Sequence, residues 1–133
     1  MMYVLDTNTI AYFFRGEGRV AEHLLATPPG EVGVPAVAAY ELRFGLARLG
    51  NVARRIDQLE QFLSTTAILP FDDAVARRAA TLRADLERAG QPIGPLDVLI
   101  AATALNAAGT LITRNVSEFG RVPGLRVQDW FDS

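Results

Sequence analysis

The chain has 133 residues, half of them hydrophobic, and its 13 basic and 15 acidic side chains give a formal net charge of −2. This length is typical of one domain, so we expect residues 1–133 to form a single domain rather than a disordered chain. The absence of cysteine excludes disulfides and thiolate metal sites. All the basic residues are arginine, which excludes mechanisms that need a lysine.

No apolar run approaches the ~20 residues that a membrane-spanning helix needs. The N-terminal sequence has no basic segment and reaches Asp6 too early for a signal peptide. We therefore expect a cytoplasmic protein that has no membrane contact.

The first half of the chain predicts short strands and helices in turn. An apolar run ends at Asp6 and indicates a buried strand, and Pro35 stands where a helix would begin. The predicted elements are a strand at 2–5, helices at 10–14 and 20–25, a strand at 31–34 and a helix at 35–50.

In the second half, apolar residues recur at helical spacing in two long segments. Ile56, Leu59 and Leu63 indicate an amphipathic helix, and Asp72 is a candidate N-cap for the next one. The predicted elements are a helix beginning at 51, a strand at 67–69, helices at 72–90 and 95–108, a strand at 110–113 and an edge strand at 125–127.

The predicted strands alternate with helices, and they are short continuous apolar runs. Such strands are typical of a parallel sheet that is covered on both faces. We therefore predict an α/β fold, with a mostly parallel central sheet of four to five strands and helices on both faces.

Two acidic residues lie shortly after the ends of predicted strands. Asp6 comes after the first strand and Glu118 shortly after the fourth, and ligand sites in open α/β sheets form beyond the carboxyl ends of strands. The alternative for Asp6 is that it caps the next helix, and the alternative for Glu118 is a solvated loop position.

Two further acids lie on predicted helices. Glu41 has apolar neighbours one turn away on both sides, where a carboxylate is costly unless it is paired or bound to a metal. Its alternatives are a partly exposed position or a pair with an arginine such as Arg43. Asp97 is the third residue of the helix that Pro95 begins, and this helix is apolar nearly all round. The alternative for Asp97 is a structural role, because a carboxylate in the first turn of a helix interacts favourably with the helix dipole.

Strand and helix geometry can bring these four acids to one edge of the sheet. Without a lysine among them they would repel one another, and they could not all stay ionised. A hard divalent cation removes the conflict, because Mg²⁺ and Mn²⁺ prefer oxygen ligands and keep waters for chemistry. The pattern therefore favours metal-assisted attack of water at phosphorus.

Polar residues border the acids in the sequence. Thr7, Asn8 and Thr113 are candidates for orienting a carboxylate or a phosphate, although such side chains equally often cap helices or bind backbone. Arg114 and Arg43 are candidates for phosphate contacts, because arginine binds phosphate through two N–H groups.

Four segments, in order, carry a resemblance to a known family. They are YVLDTNT at 3–9, YELRFG at 40–45, PIGPLD at 92–97 and LITRNVSEF at 111–119. By these segments the chain resembles the PIN-domain ribonucleases, specifically the VapC toxins of bacterial type II toxin–antitoxin modules.

The resemblance implies a Mg²⁺-dependent endoribonuclease that cuts structured RNA such as tRNA and leaves a 3′-hydroxyl. It implies metal binding by Asp6 and Asp97, with Glu41 completing the acidic site. It also implies a homodimer and a VapB-type antitoxin whose C-terminal segment occupies the cleft. Many PIN domains have an aspartate where Asn115 stands, and Glu118 is the candidate for that fourth acidic position.

Other functions are consistent with parts of the pattern. Phosphoacceptor receiver domains and aspartate-nucleophile phosphatases share the fold class, but both generally need a lysine, which this chain lacks. A PIN-like module that binds an antitoxin or RNA without cutting it remains the alternative, because Asn115 supplies no charge. The net charge of −2 gives no general attraction to RNA, so binding should be weak at high salt.

Overall fold

Five strands and seven helices alternate along the chain in the computed structural model, which describes residues 1–133. The strands are β1 (Tyr3–Leu5), β2 (Val32–Pro35), β3 (Ala67–Leu69), β4 (Thr110–Ile112) and β5 (Arg126–Gln128). The helices are α1 (Thr7–Arg15), α2 (Val20–Leu25), α3 (Ala36–Arg48), α4 (Ala53–Ser64), α5 (Asp73–Arg88), α6 (Pro95–Asn106) and α7 (Val116–Phe119).

The five strands form one parallel sheet in the order β3-β2-β1-β4-β5. The chain steps outward from β1 to β3, then returns to place β4 on the other side of β1. Because parallel crossovers are right-handed, this return puts the two groups of helices on opposite faces of the sheet. The predicted parallel sheet with helices on both faces is confirmed.

The neighbouring strands β1 and β4 are deeply buried in the middle of the sheet. Val4, Leu5, Leu111 and Ile112 have no exposed surface, as expected for strands covered on both faces. The carboxyl ends of these two strands lie side by side at the point where the strand order reverses. Ligands bind at this position in open α/β sheets.

Helix α6 is buried, as its uniformly apolar sequence predicts. Ala101, Ala102 and Ala104 have no exposed surface, and the helix packs against α5, α3 and the strands β2 and β4. Its N-terminal turn carries Asp97 and lies at the edge of the sheet where β1 and β4 end. No helix combines the length and the apolar sequence that crossing a membrane requires.

Several element boundaries differ from the sequence predictions. Helix α1 begins at Thr7 rather than at residue 10, because the Asp6 carboxylate caps it. A 3₁₀ turn at Pro29–Glu31 delays β2 until Val32, and β5 lies one residue later than predicted. Helix α7 was not predicted, since four residues are too few to show a helical period.

Candidate active site

Asp6 lies at the end of β1 and also caps α1. Its backbone N–H donates to the carbonyl of Ile112 at 3.1 Å, and its Oδ1 accepts from the backbone N–H of Thr9 at 2.8 Å. Burial raises the pKa of the Asp6 carboxyl, hydrogen bonds from Thr113 and Thr9 oppose that rise, and the charge of Glu41 adds to it. The capping alternative is therefore correct, and the same carboxylate also lines an open cavity.

Glu41 reaches the site from the middle of α3, where it is half-buried. Its Oε1 accepts a hydrogen bond of 2.6 Å from the Thr7 hydroxyl, in the first turn of α1. The alternative pair with Arg43 is wrong, because that guanidinium donates to both oxygens of Glu60 at 2.9 and 2.8 Å. Arg43 is thus held on the α4 side, and Glu41 has no cationic partner.

Asp97 lies in the first turn of α6, half-buried beside the other acids. Burial raises the pKa of its carboxyl to about 6, with further contributions from the charges of Glu118, Glu41 and Asp6 and from a hydrogen bond with Glu118. The glycine at the N-cap leaves room for this carboxylate, since a Cβ on Gly94 would stand 3.0 Å from Asp97 Oδ2. The four predicted acids therefore interact electrostatically at one edge of the sheet.

Glu118 links the loop after β4 to the start of α6. Its Oε1 accepts from the backbone N–H of Gly94 at 2.9 Å, and its Oε2 accepts from the side-chain amide of Asn115. Both carboxylate oxygens are therefore occupied by hydrogen bonds. The contact with Gly94 spans 24 positions in the chain, so no local sequence pattern could have indicated it.

The remaining predicted residues surround the acids. Thr113 is fully buried; its hydroxyl accepts from the backbone N–H of Asn115 at 3.0 Å, and its side chain hydrogen-bonds to Asp6. A cavity of about 370 Å³ opens beside Asp6. It is lined by Asp6, Asn8, Tyr12, Arg114 and Asn115.

Tyr12 is the one residue of this cavity that the sequence did not place there. The available signal was its spacing, because Tyr12 lies four residues after Asn8 and so shares one face of α1 with it. The single histidine, His23, stacks on Trp130 and lies outside the cavity, which leaves no Ser-His-Asp triad.

The donor set suits a hard divalent cation. None of the eight ion pairs of the structure involves Asp6, Glu41, Asp97 or Glu118, so their mutual repulsion is not neutralised by arginine. No three acidic or histidine side chains close around a common point. This openness fits Mg²⁺, which is usually held by one or two carboxylates and keeps several waters, better than a closed protein cage.

The sequence and fold match a known family over nearly their whole length. The family model described as PIN domain matches residues 3–125. The chain is 31% identical over 130 residues to the tRNA(fMet)-specific endonuclease VapC of Shigella flexneri, with 98% of each chain covered. The chain belongs to the VapC ribonucleases of the PIN domain family.

Other relatives of this PIN domain agree with that assignment. It is 32% identical over 132 residues to Ribonuclease VapC1 of Haemophilus influenzae strain R2866, with 98% of each chain covered. A chain of VapBC2 from Rickettsia felis, solved bound to a DNA fragment from its promoter, has a TM-score of 0.89 and 29% identity. That match covers 98% of this chain and 99% of the other. The family resemblance inferred from the sequence segments is confirmed.

Proposed function

We propose that this PIN domain is a metal-dependent endoribonuclease and the toxin of a type II toxin–antitoxin module. The observation that carries the proposal is that Glu118, Glu41 and Asp6 all lie near enough to Asp97 for their charges to add to the burial that raises its pKa to about 6. The names of the relatives support RNA as the substrate, and the Shigella flexneri name favours tRNA. The site of action is the cytoplasm, where tRNA is found.

Asp6 and Asp97 would supply oxygen ligands for a divalent cation, which would be Mg²⁺, with Mn²⁺ as the alternative ion. A bound divalent ion supplies a Lewis acid that lowers the pKa of water and stabilises charge on the phosphate oxygens. Asp6 is fixed for this role by β1 and its cap hydrogen bond, and Asp97 by the first turn of α6. Rigid placement matters, because small displacements of catalytic groups cost large factors in rate.

Glu41 orients the attacking water and takes up its proton. The Thr7 hydroxyl, which donates to Glu41 Oε1 at 2.6 Å, fixes the carboxylate in the orientation in which it accepts that proton. The water oxygen forms a bond to phosphorus while the bond from phosphorus to the 3′-oxygen breaks. The products are a 3′-hydroxyl, which receives a proton, and a 5′-phosphate.

The neighbouring polar residues bind the substrate and support the acids. Arg114, Asn8 and Asn115 line the cavity and are placed to contact the RNA backbone. Thr113 holds Asp6, and Glu118 holds Gly94 at the start of α6. Glu118 therefore acts by fixing the position of Asp97, as well as by adding negative charge to the site.

We further propose that a VapB-type antitoxin covers this site and that the protein forms a homodimer. The Rickettsia felis VapBC2 structure supports a protein partner of that class. Exposed apolar residues offer contact area, among them Tyr40 and Phe44 on α3, which are 59% and 54% exposed.

A binding module without cleavage activity is the alternative, and one observation favours it. Glu118 accepts hydrogen bonds from Gly94 and Asn115, one on each oxygen, which hold its carboxylate against the start of α6 and make it less available as a fourth acid. Cleavage of RNA distinguishes the two functions, because the ribonuclease cuts RNA and the binding module does not.

Cleavage of total tRNA by the purified, antitoxin-free protein tests the proposal. With Mg²⁺ we expect discrete fragments from the wild type and none from Asp6→Asn. Asp57→Asn is the matched control, since Asp57 is exposed on α4, away from the site. Binding of tRNA by a folded wild type that cuts none of it would favour the inactive module instead.

A further inference from the structure

Phe131 packs against the face of an arginine that lines the candidate active site. The guanidinium carbon of Arg114 lies 3.6 Å from the centroid of the Phe131 ring and 5.8 Å from that of the Tyr12 ring. The two rings meet nearly edge to face at 4.7 Å. Arg114 therefore contacts two aromatic rings, one from α1 and one from the segment that follows β5.

Local contacts hold Phe131 in this position. Its carbonyl accepts from the backbone N–H of Arg19 at 3.0 Å, and its own N–H donates to Asp129 Oδ1 at 2.6 Å. A Cβ on Gly18 would stand 2.6 Å from the Phe131 ring, and Gly18 has a φ of +62°, so only glycine fits there without strain. The preceding Trp130 is buried and anchors the segment.

Arg114 is the one basic side chain among the five that line the cavity beside Asp6. Stacking uses the face of the guanidinium and leaves its N–H edges available, and those edges bind phosphate. The neighbouring Asp132 carboxylate is 3.5 Å from Arg114 Nε, and both side chains are largely exposed, so this ion pair is weak. A phosphate group can therefore replace it.

Stacking on Phe131 also reduces the conformational entropy that the Arg114 side chain loses when it binds RNA. A free arginine side chain loses rotamer freedom when it grips a phosphate, whereas one that is already stacked has lost much of that freedom beforehand. An arginine held in this way binds phosphate with higher affinity, although Phe131 itself contacts no substrate.

We propose that Phe131 is a positioning residue, which holds the Arg114 guanidinium at the cavity beside Asp6 for an RNA phosphate. The inference rests on the proposed ribonuclease function. It assigns a role in substrate affinity to the segment after β5, which contributes no residue to the acidic cluster.

A double-mutant cycle on tRNA cleavage with Mg²⁺ tests this role. Phe131→Leu keeps an apolar side chain and should raise KM about fivefold, with kcat changed by less than about twofold. Phe131→Tyr should restore the wild-type KM. In an Arg114→Gln background, Phe131→Leu should add nothing further. An unchanged KM in Phe131→Leu, or effects that multiply in the double variant, would overturn the proposal.

NMR relaxation of the Arg114 Nε–H group gives a readout that does not depend on cleavage. Its order parameter should fall in Phe131→Leu and recover in Phe131→Tyr. Phe14→Leu is the matched control, because Phe14 is an exposed aromatic that packs against Phe13 and Phe62 and not against Arg114. The positioning role would be overturned if the Arg114 order parameter fell equally in Phe131→Leu and in the Phe14→Leu control. It would also be overturned if the order parameter fell in neither variant.

The two readouts separate this inference from the proposed function. A wild type that cleaves no tRNA would overturn the ribonuclease function and the RNA part of the inference together. A wild type that cleaves tRNA while Phe131→Leu behaves identically would overturn the inference alone.

Discussion

At the residue scale, the Asp97 carboxyl lowers the stability of the metal-free protein at a position where the proposed reaction needs a carboxylate. Its pKa rises from 3.8 to about 6 on folding, so the native state binds more protons than the unfolded state between those two values. Stability therefore falls as pH rises through this range, and the loss is complete above about pH 6. Asp97 therefore occupies a position where its ionised form destabilises the metal-free fold.

Asp97→Asn should make the metal-free protein more stable at pH 7 and abolish cleavage. We expect a gain on the order of 1 kcal/mol once solvent screening of this half-exposed group is allowed for. The gain should be largely gone by about pH 3, below the unfolded-state pKa of 3.8, where the wild-type carboxyl is mostly protonated in both states. Urea unfolding in EDTA at the two pH values measures it.

Asp73→Asn is the matched control for that experiment. Asp73 also lies in the first turn of a helix, but it is exposed and pairs with Arg77. This variant should gain no stability at either pH. A loss of stability in Asp97→Asn at pH 7 would show that Asp97 acts through the helix dipole and is a structural residue.

Thr7→Val should separate the orientation of Glu41 from its charge. The substitution keeps the shape of the side chain and removes the 2.6 Å hydrogen bond to Glu41. We expect kcat to fall about tenfold, the effect of losing one hydrogen bond to a charged group, while the fold is retained. Thr65→Val, at an exposed helix end, is the control. Equal kcat values for Thr7→Val and the wild type would show that this hydrogen bond does not position Glu41 for the catalytic step.

Short elements place the site at the scale of secondary structure. Strand β1 and helix α1 fix Asp6, the first turn of α6 fixes Asp97, and α7 carries the Glu118 that ties the start of α6 to the loop after β4. The N-cap glycine of α6 is part of this arrangement, because a Cβ on Gly94 would press on the Asp97 carboxylate.

Gly94→Ala should reduce cleavage while it leaves the fold nearly unchanged. The backbone at Gly94 has φ −55° and ψ 145°, which alanine adopts without strain. The added methyl group, 3.0 Å from Asp97 Oδ2, must push that carboxylate aside. Gly30→Ala is the control, since a Cβ there meets nothing within 4 Å. Thermal unfolding and kcat are measured for both, and equal kcat values would contradict this account.

The sequence was informative where a residue's role follows from its own element. Asp6 at the end of a buried strand and Asp97 in the first turn of an apolar helix were both predictable in position. The hydrogen bond from Gly94 to Glu118 and the pair of Arg43 with Glu60 were not predictable. They join segments that are distant in the chain, so tertiary packing and not local pattern decides them.

At the scale of the whole molecule, the protein carries a net charge of −2 and a cluster of unpaired carboxylates. General attraction to RNA is therefore weak, and recognition must depend on local contacts such as Arg114. Six other arginines are engaged in ion pairs with the protein's own acids. This arrangement favours a substrate that is recognised by its shape.

The proposed homodimer predicts a mass in solution of about twice the 14.4 kDa of one chain. Light scattering coupled to size exclusion, at micromolar concentration, measures it. The exposed apolar surface of α3 supports self-association, so Phe44→Glu should shift the mass toward one chain. A wild-type mass of one chain would contradict the dimer and leave the fold and the site unaffected.

The central claim is that these carboxylates cut RNA with the help of a divalent ion. The most direct measurement incubates the purified protein with tRNA in Mg²⁺, in EDTA, and in EDTA followed by excess Mg²⁺, and then identifies the new RNA ends. The account predicts fragments with a 3′-hydroxyl in the first and third samples only. Fragments that persist in EDTA would contradict it, because cleavage would then need no divalent ion. Fragments that end in a 2′,3′-cyclic phosphate would also contradict it, because the RNA 2′-hydroxyl and not water would then be the nucleophile.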